Sequence, residues 1–236
     1  AVMAAHAGGT AGSGNGGSGG GGAGGGGPGA GTWRDGVLRG TEGDDILVAS
    51  GWNNRIEAGA GNDTVDAGEG NATIDAGGGN NTIRVGGWSN LVRAGDGDNL
   101  LSGPLGNTTV QFGNGSAQVS LGGYGNSITL GVGNSAVHAG EGNATIRIAG
   151  GDNTVVAPGY GNRVTTGSGD DTISGLSGNA EVDAGDGDNR VSAQGFSNRI
   201  TTGAGKDTIV AGEGTAVVRS GAGADDITVS GWGNRV

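Results

Sequence analysis

Ala58-Gly59-Ala60-Gly61-Asn62-Asp63-Thr64-Val65-Asp66 is the stretch that decides the fold. It recurs with variation from Gly40 to Val236 as 22 nonapeptides, without insertion or deletion, the last short by one residue. The eighth position is Leu, Ile or Val in all 22, and the fourth is Gly in 16. Positions one to six carry turn chemistry, because Gly supplies positive φ and Asn or Asp tolerates it while bonding its own backbone. Positions seven to nine and the next position one form a short strand. Alternation turns position eight inward, nine outward and the next position one inward again. Position one fits this: it is mostly Ala, with Val85, Phe112, Leu121, Leu130 and Ile148 in the middle of the array.

A repeat this short cannot bury its own apolar face and must stack. Two nonapeptides make one turn, so the chain is expected to be all-β: a parallel β-roll of about eleven 18-residue turns. At the usual strand spacing this is a rod of about 50 Å. Ahead of it, residues 1–31 hold 16 glycines and read as a glycine-rich linker or arm. Residues 32–39 read as a cap, with Trp33, Val37 and Leu38 over the first turn. The chain starts on Ala1 and stops on Val236 in mid-strand. It is read as processed or as a piece of a longer array, or as having an open end that stacks on another subunit.

The repeat resembles Gly-Gly-x-Gly-x-Asp-x-(Leu/Ile/Val)-x of the RTX calcium-binding proteins, with Gly59 to Val65, Gly167 to Ile173 and Gly203 to Ile209 matching well. That resemblance covers residues 40–236. It implies calcium held between turns, type I secretion, and folding in the extracellular space or at a bacterial cell surface. It also implies that Asp at position six, together with loop carbonyls, binds the metal. Here those positions are Asp45, Asp63, Asp171, Asp207 and Asp225, all in odd-numbered nonapeptides and so all on one edge. Calcium needs several oxygens, some anionic. Asp45 with Asp63 and Asp207 with Asp225 therefore make the best pairs, and Asp171, followed by Asn189, a weaker site. Between them the edge carries Asn81, Asn99, Ala117, Ser135 and Asn153.

The even edge has no Asp at position six. Asn54, Asn90, Asn126, Asn162, Asn198 and Asn234 alternate there with Ala or Thr, and an amide ladder without metal is expected. This edge also carries an aromatic every 36 residues: Trp52, Trp88, Tyr124, Tyr160, Phe196 and Trp232. The plain reading is that each ring covers its own loop and the one beside it. The alternatives are a lateral protein interface or a stacking surface for a polysaccharide.

A net charge of −11 argues against nucleic acid, which needs clustered Lys and Arg, and suits cations. There is no Cys, and no apolar run long enough to enter a membrane. His6 and His138 have no partners for zinc or a catalytic triad, and no catalytic residue is assigned. Glu57, Asp66 and Asp75 are expected to point outward on a face that offers no cleft. Outward Thr mixed with Arg, Asp and Glu does not make flat ice-binding ranks. The chain therefore reads as a non-enzymatic structural repeat domain, self-associating end to end or laterally as a spacer, surface-layer or filament unit. The other readings are an adhesin module using the aromatic stripe, or the accessory calcium module of a secreted enzyme or toxin.

Overall fold

The computed structural model describes residues 29–236; most of the glycine-rich segment read as a linker, and His6, lie outside the described residues. The described chain is a two-sheet parallel β-solenoid of about eleven 18-residue turns, with twelve strands in each sheet. Odd nonapeptides supply one sheet, beginning with Asp45–Val48 and Thr64–Asp66, and even ones supply the other, beginning with Asn54–Glu57 and Ala72–Asp75. Each strand pairs in parallel with the strand one turn on, as in Asn54↔Ala72 and Ile56↔Ile74. Along most of the array a strand residue therefore lies against its counterpart 18 positions away.

The core is as thin as the pattern requires. The eighth positions from Leu47 to Val218 are all buried, and position one adds Ala, Phe112, Leu121, Leu130 and Ile148. Toward the C-terminal end, Ile227 and Val229 are only partly buried and Val236 is exposed. Each fully buried aliphatic contributes roughly 1.5–3 kcal/mol, which makes the eighth-position column the main stabilising term.

Three features depart from the sequence reading. First, the cap is a hairpin. Thr32–Arg34 and Val37–Arg39 pair antiparallel across Asp35 (φ 52°) and Gly36 (φ 76°), the two left-handed residues of a tight hairpin turn. Val37 and Leu38 are buried, but Trp33, expected over the first turn, is exposed with the whole of Thr32–Arg34, the edge strand of the hairpin. The other sheet begins even earlier: Gly29–Ala30 pair with Asp45 and Ile46, so the first rung reaches into the glycine-rich segment.

Second, one rung slips. In Thr172–Leu176 the register shifts between Ile173 and Leu176. Gly175, at position one, adopts φ 86° and turns outward, and Leu176 takes its place in the core. A bulge of this kind lets a strand keep its apolar set inward past a residue that cannot fill the slot. Third, position six is itself inward and buried, so the inward series runs six, eight, one.

Successive turns approach so closely that some loop positions accept glycine alone. Gly77 adopts φ 67°, and a Cβ there would lie 1.5 Å from the Gly59 carbonyl oxygen. Gly77→Ala is expected to cost about 1–3 kcal/mol from the backbone conformation alone, with a further penalty as the two turns are forced apart. A urea midpoint indistinguishable from the parent's would contradict this stacking.

Candidate functional site

The five aspartates lie where one sheet's strand hands over to the next, on a single edge. Asp45, Asp63, Asp171 and Asp207 are at most 1% exposed, whereas Asp225, toward the C-terminal end, is only partly buried. Each position-six side chain reaches back one turn. Asp63 Oδ1 accepts the backbone N–H of Asp45 at 2.9 Å, Asp207 Oδ1 that of Asn189 at 2.9 Å, and Asp225 Oδ1 that of Asp207 at 3.1 Å. Asp171 Oδ1 accepts both the N–H and the side-chain amide of Asn153. In the first rung Asp45 Oδ2 instead accepts the N–H and hydroxyl of Thr41.

The second carboxylate oxygen is different. Asp45 Oδ1 and the Oδ2 atoms of Asp63, Asp171 and Asp207 are buried with no hydrogen-bond partner. Among the described residues the one other such side-chain atom is the Thr108 hydroxyl oxygen. A buried carboxylate oxygen without a donor carries its full desolvation cost. Accordingly, burial is the largest influence on Asp63 and raises its pKa. The Asp45 N–H opposes this, and the charges of Asp45 and Asp44 add to it. Asp171 is likewise raised, chiefly by burial.

The asparagine rungs show what is missing. Asn81, Asn99, Asn153 and Asn189 occupy the same inward position and accept from or give to the same ladder. Each also donates Nδ2 to the position-four carbonyl of its own loop: Gly79, Gly97, Gly151 and Gly187. Aspartate has no N–H to give. In the aspartate loops the orphaned oxygen therefore accompanies carbonyls that no amide engages. This all-oxygen set fits a hard cation such as calcium, which would supply the positive charge these oxygens lack. No group of three or more acidic or histidine side chains converges among the described residues, so most ligands would be backbone carbonyls.

Sequence reasoning missed a second ladder on this edge, at position five. There each Oδ1 accepts the N–H one turn onward, the opposite sense to position six. Asp44 accepts from Asn62 at 2.7 Å, Asn62 from Asn80 at 2.8 Å, and Asn80 from Asp98 at 2.7 Å. The series resumes from Asn134 through Asp152, Asp170 and Asp188 to Lys206. The signal was present as a near-continuous column of Asp and Asn. These carboxylates are already engaged in closing turns.

On the even edge the amides work alone. Asn126 Nδ2 donates to the Gly122 and Ala139 carbonyls, both at 3.0 Å, while its Oδ1 accepts the Thr108 N–H. They do not bond one another, as the expected ladder would have had it, because Ala or Thr separates them. Asn107, Asn143 and Asn179 serve at position five in left-handed conformations. The six aromatics all stand on this edge and are about half to three-quarters exposed. Of the outward charges, Glu57 pairs with Arg39 and Arg55, and Asp66 with Arg84; exposed pairs of this kind contribute little to stability. Asp75 and His138 are exposed.

A family model for the RTX calcium-binding nonapeptide repeat, in its four-copy form, matches residues 31–51, 39–74, 51–83, 75–110, 147–182, 157–191 and 183–218. Together these segments take in well over half of the chain.

The chain belongs to the RTX calcium-binding repeat family.

Its repeats are thus calcium-binding repeats, and Ca2+ is the cofactor of this RTX roll. The unmatched segment between the two matched stretches, 111–146, is where position six is Ala117, Asn126, Ser135 and Ala144. No curated protein and no solved structure matches the RTX chain. No helix long and apolar enough to cross a membrane occurs among the described residues.

Proposed function

We propose that this chain is a non-enzymatic, secreted structural domain: a rod clamped by calcium at its aspartate rungs. It would serve as a spacer or as a building block of a surface layer or filament. The calcium ligands are assigned to Asp45, Asp63, Asp171, Asp207 and Asp225 with neighbouring loop carbonyls. The observation that carries this reading is the set of orphaned buried carboxylate oxygens, confined to the aspartate rungs and absent where asparagine takes over. Solvated carboxylates and the exposed His138 on regular faces support a structural rather than catalytic role.

Such a rod does not depend on calcium uniformly. Stability in a repeat array is a sum of local and nearest-neighbour terms, so it can fail in parts. In chelator, backbone amides around Asp45–Asp63 and Asp171–Asp225 are expected to lose hydrogen-exchange protection, while the run from Asn81 to Asn153 keeps it. Complete unfolding in chelator, or protection unchanged throughout, would reject the assignment.

A further inference from the structure

Each of the six aromatics stands beside a backbone kink in its even-edge loop. Gly51, Gly123, Gly159, Gly195 and Gly231, each just before an aromatic, have positive φ. So do the residues just after Trp52, Trp88, Tyr124, Tyr160, Phe196 and Trp232: Asn53, Ser89, Gly125, Gly161, Ser197 and Gly233. The chain therefore kinks around each ring and holds it at the loop apex.

The spacing is locked by the backbone. Tyr124 bridges to Gly142 and Gly142 to Tyr160. The carbonyls of Tyr124, Tyr160, Phe196 and Trp232 accept N–H groups of the preceding rung at 2.7–2.9 Å. On the intermediate rungs Gly142, Gly178 and Gly214 are buried beneath the rings. A Cβ at these positions would lie 3.7 Å from Tyr124 Cδ1, 3.3 Å from Tyr160 Cδ1 and 3.9 Å from Phe196 Cδ1. Tyr124, Tyr160 and Phe196 thus each lie against a glycine and stay about half or more exposed. Glu69, Glu141 and Glu213 stand exposed on alternate intermediate rungs, and the neighbouring Glu141 raises the pKa of the Tyr124 hydroxyl.

We propose that this edge is a binding track for a neutral, linear β-1,4-linked polysaccharide lying parallel to the rod axis. Rings two rungs apart stand ~9.6 Å from each other. An extended β-1,4-linked chain is a two-fold ribbon that turns the same sugar face to one side at every second residue, and its repeat is close to this spacing. Six platforms in single file span about 48 Å, with carboxylates and Asn side chains between them to bond hydroxyl groups. The carboxylates repel anionic polymers. A protein partner fits less well: the line is one side chain wide and interrupted by glycine and polar loops, whereas stable protein interfaces bury about 800 Å² per partner in a continuous patch. The track stands apart from the calcium reading, because the edge holds none of the metal-binding aspartates.

The test is retention of the full chain on microcrystalline cellulose and on chitin, with cellohexaose titrated against tryptophan emission. The parent is expected to be retained and to respond. Trp88→Ala/Tyr124→Ala, which breaks the six-ring run, is expected to weaken retention roughly tenfold or more through lost multivalency. Its circular dichroism should be unchanged, and Trp88→Phe/Tyr124→Phe should restore binding. No retention on either polymer and no emission change in the parent would overturn the proposal. So would retention that the double alanine variant leaves intact. A loss confined to self-association in sedimentation velocity, with glycan retention unaffected, would instead identify a protein interface and overturn it equally.

Discussion

Asn81→Asp is expected to open its rung in chelator and to leave it closed in calcium. In the parent, Asn81 Oδ1 accepts the Asp63 N–H at 2.9 Å, and its Nδ2 donates to the Gly79 carbonyl and to Asn99 Oδ1, both at 3.1 Å. Aspartate keeps the first bond and loses the other two. It also faces two acceptors with a buried negative charge. An uncompensated buried charge costs about 3–5 kcal/mol. That loss should appear in chelator as faster amide exchange across the rungs of Asp63, Asn81 and Asn99. Calcium should recover it by mass action, since a ligand that binds the folded state alone stabilises that state.

The reverse change, Asp63→Asn, gives the Gly61 carbonyl a donor and removes an orphaned oxygen. Stability in chelator should rise by about 1–3 kcal/mol, and the difference between calcium and chelator should shrink. If Asn81→Asp behaved identically with and without calcium, asparagine would not be the metal's stand-in.

The second large effect is in the core. Ile146→Ala, in the middle of the column, is expected to cost about 2–5 kcal/mol. Ile146 is fully buried and belongs to a six-residue strand, Thr145–Gly150, paired on both sides. The same change at Ile227, which is only partly buried, should cost much less. Urea unfolding followed by far-ultraviolet circular dichroism checks both. Equal costs at the two positions would mean that the column does not act as one packed core.

What could be read from the sequence followed from periodicity. A branched aliphatic every nine residues implies stacking. Parity then sorts Asp63 and Asn54 onto opposite edges and puts Trp88 in line with Tyr124. Features that break the period were hidden. Leu176 takes over from Gly175 because glycine offers nothing to fill the core, but a nonapeptide count cannot foresee a slipped residue. The Asp35-Gly36 turn of the cap hairpin was legible as a hairpin signal between short apolar runs; the neighbouring repeat drew the reading toward a simple cap. The inward turn of position six and the opposed ladder at position five depend on bonds to residues 18 away. Their geometry comes from the path of the loop, which side-chain type alone does not specify.

Because two nonapeptides close one turn, the array has a parity. Removing 18 residues from the middle shortens the rod by one turn and keeps each loop on its own edge. Removing nine transposes everything beyond the cut: the acidic loops move to the aromatic side and the rings to the acidic side, and both files end at the junction. The aromatic line is stricter still, since a cut of 18 brings two rings onto adjacent turns or leaves a wider gap between them. Lengthening or shortening this rod without scrambling its surfaces therefore requires steps of 36 residues, four nonapeptides at a time.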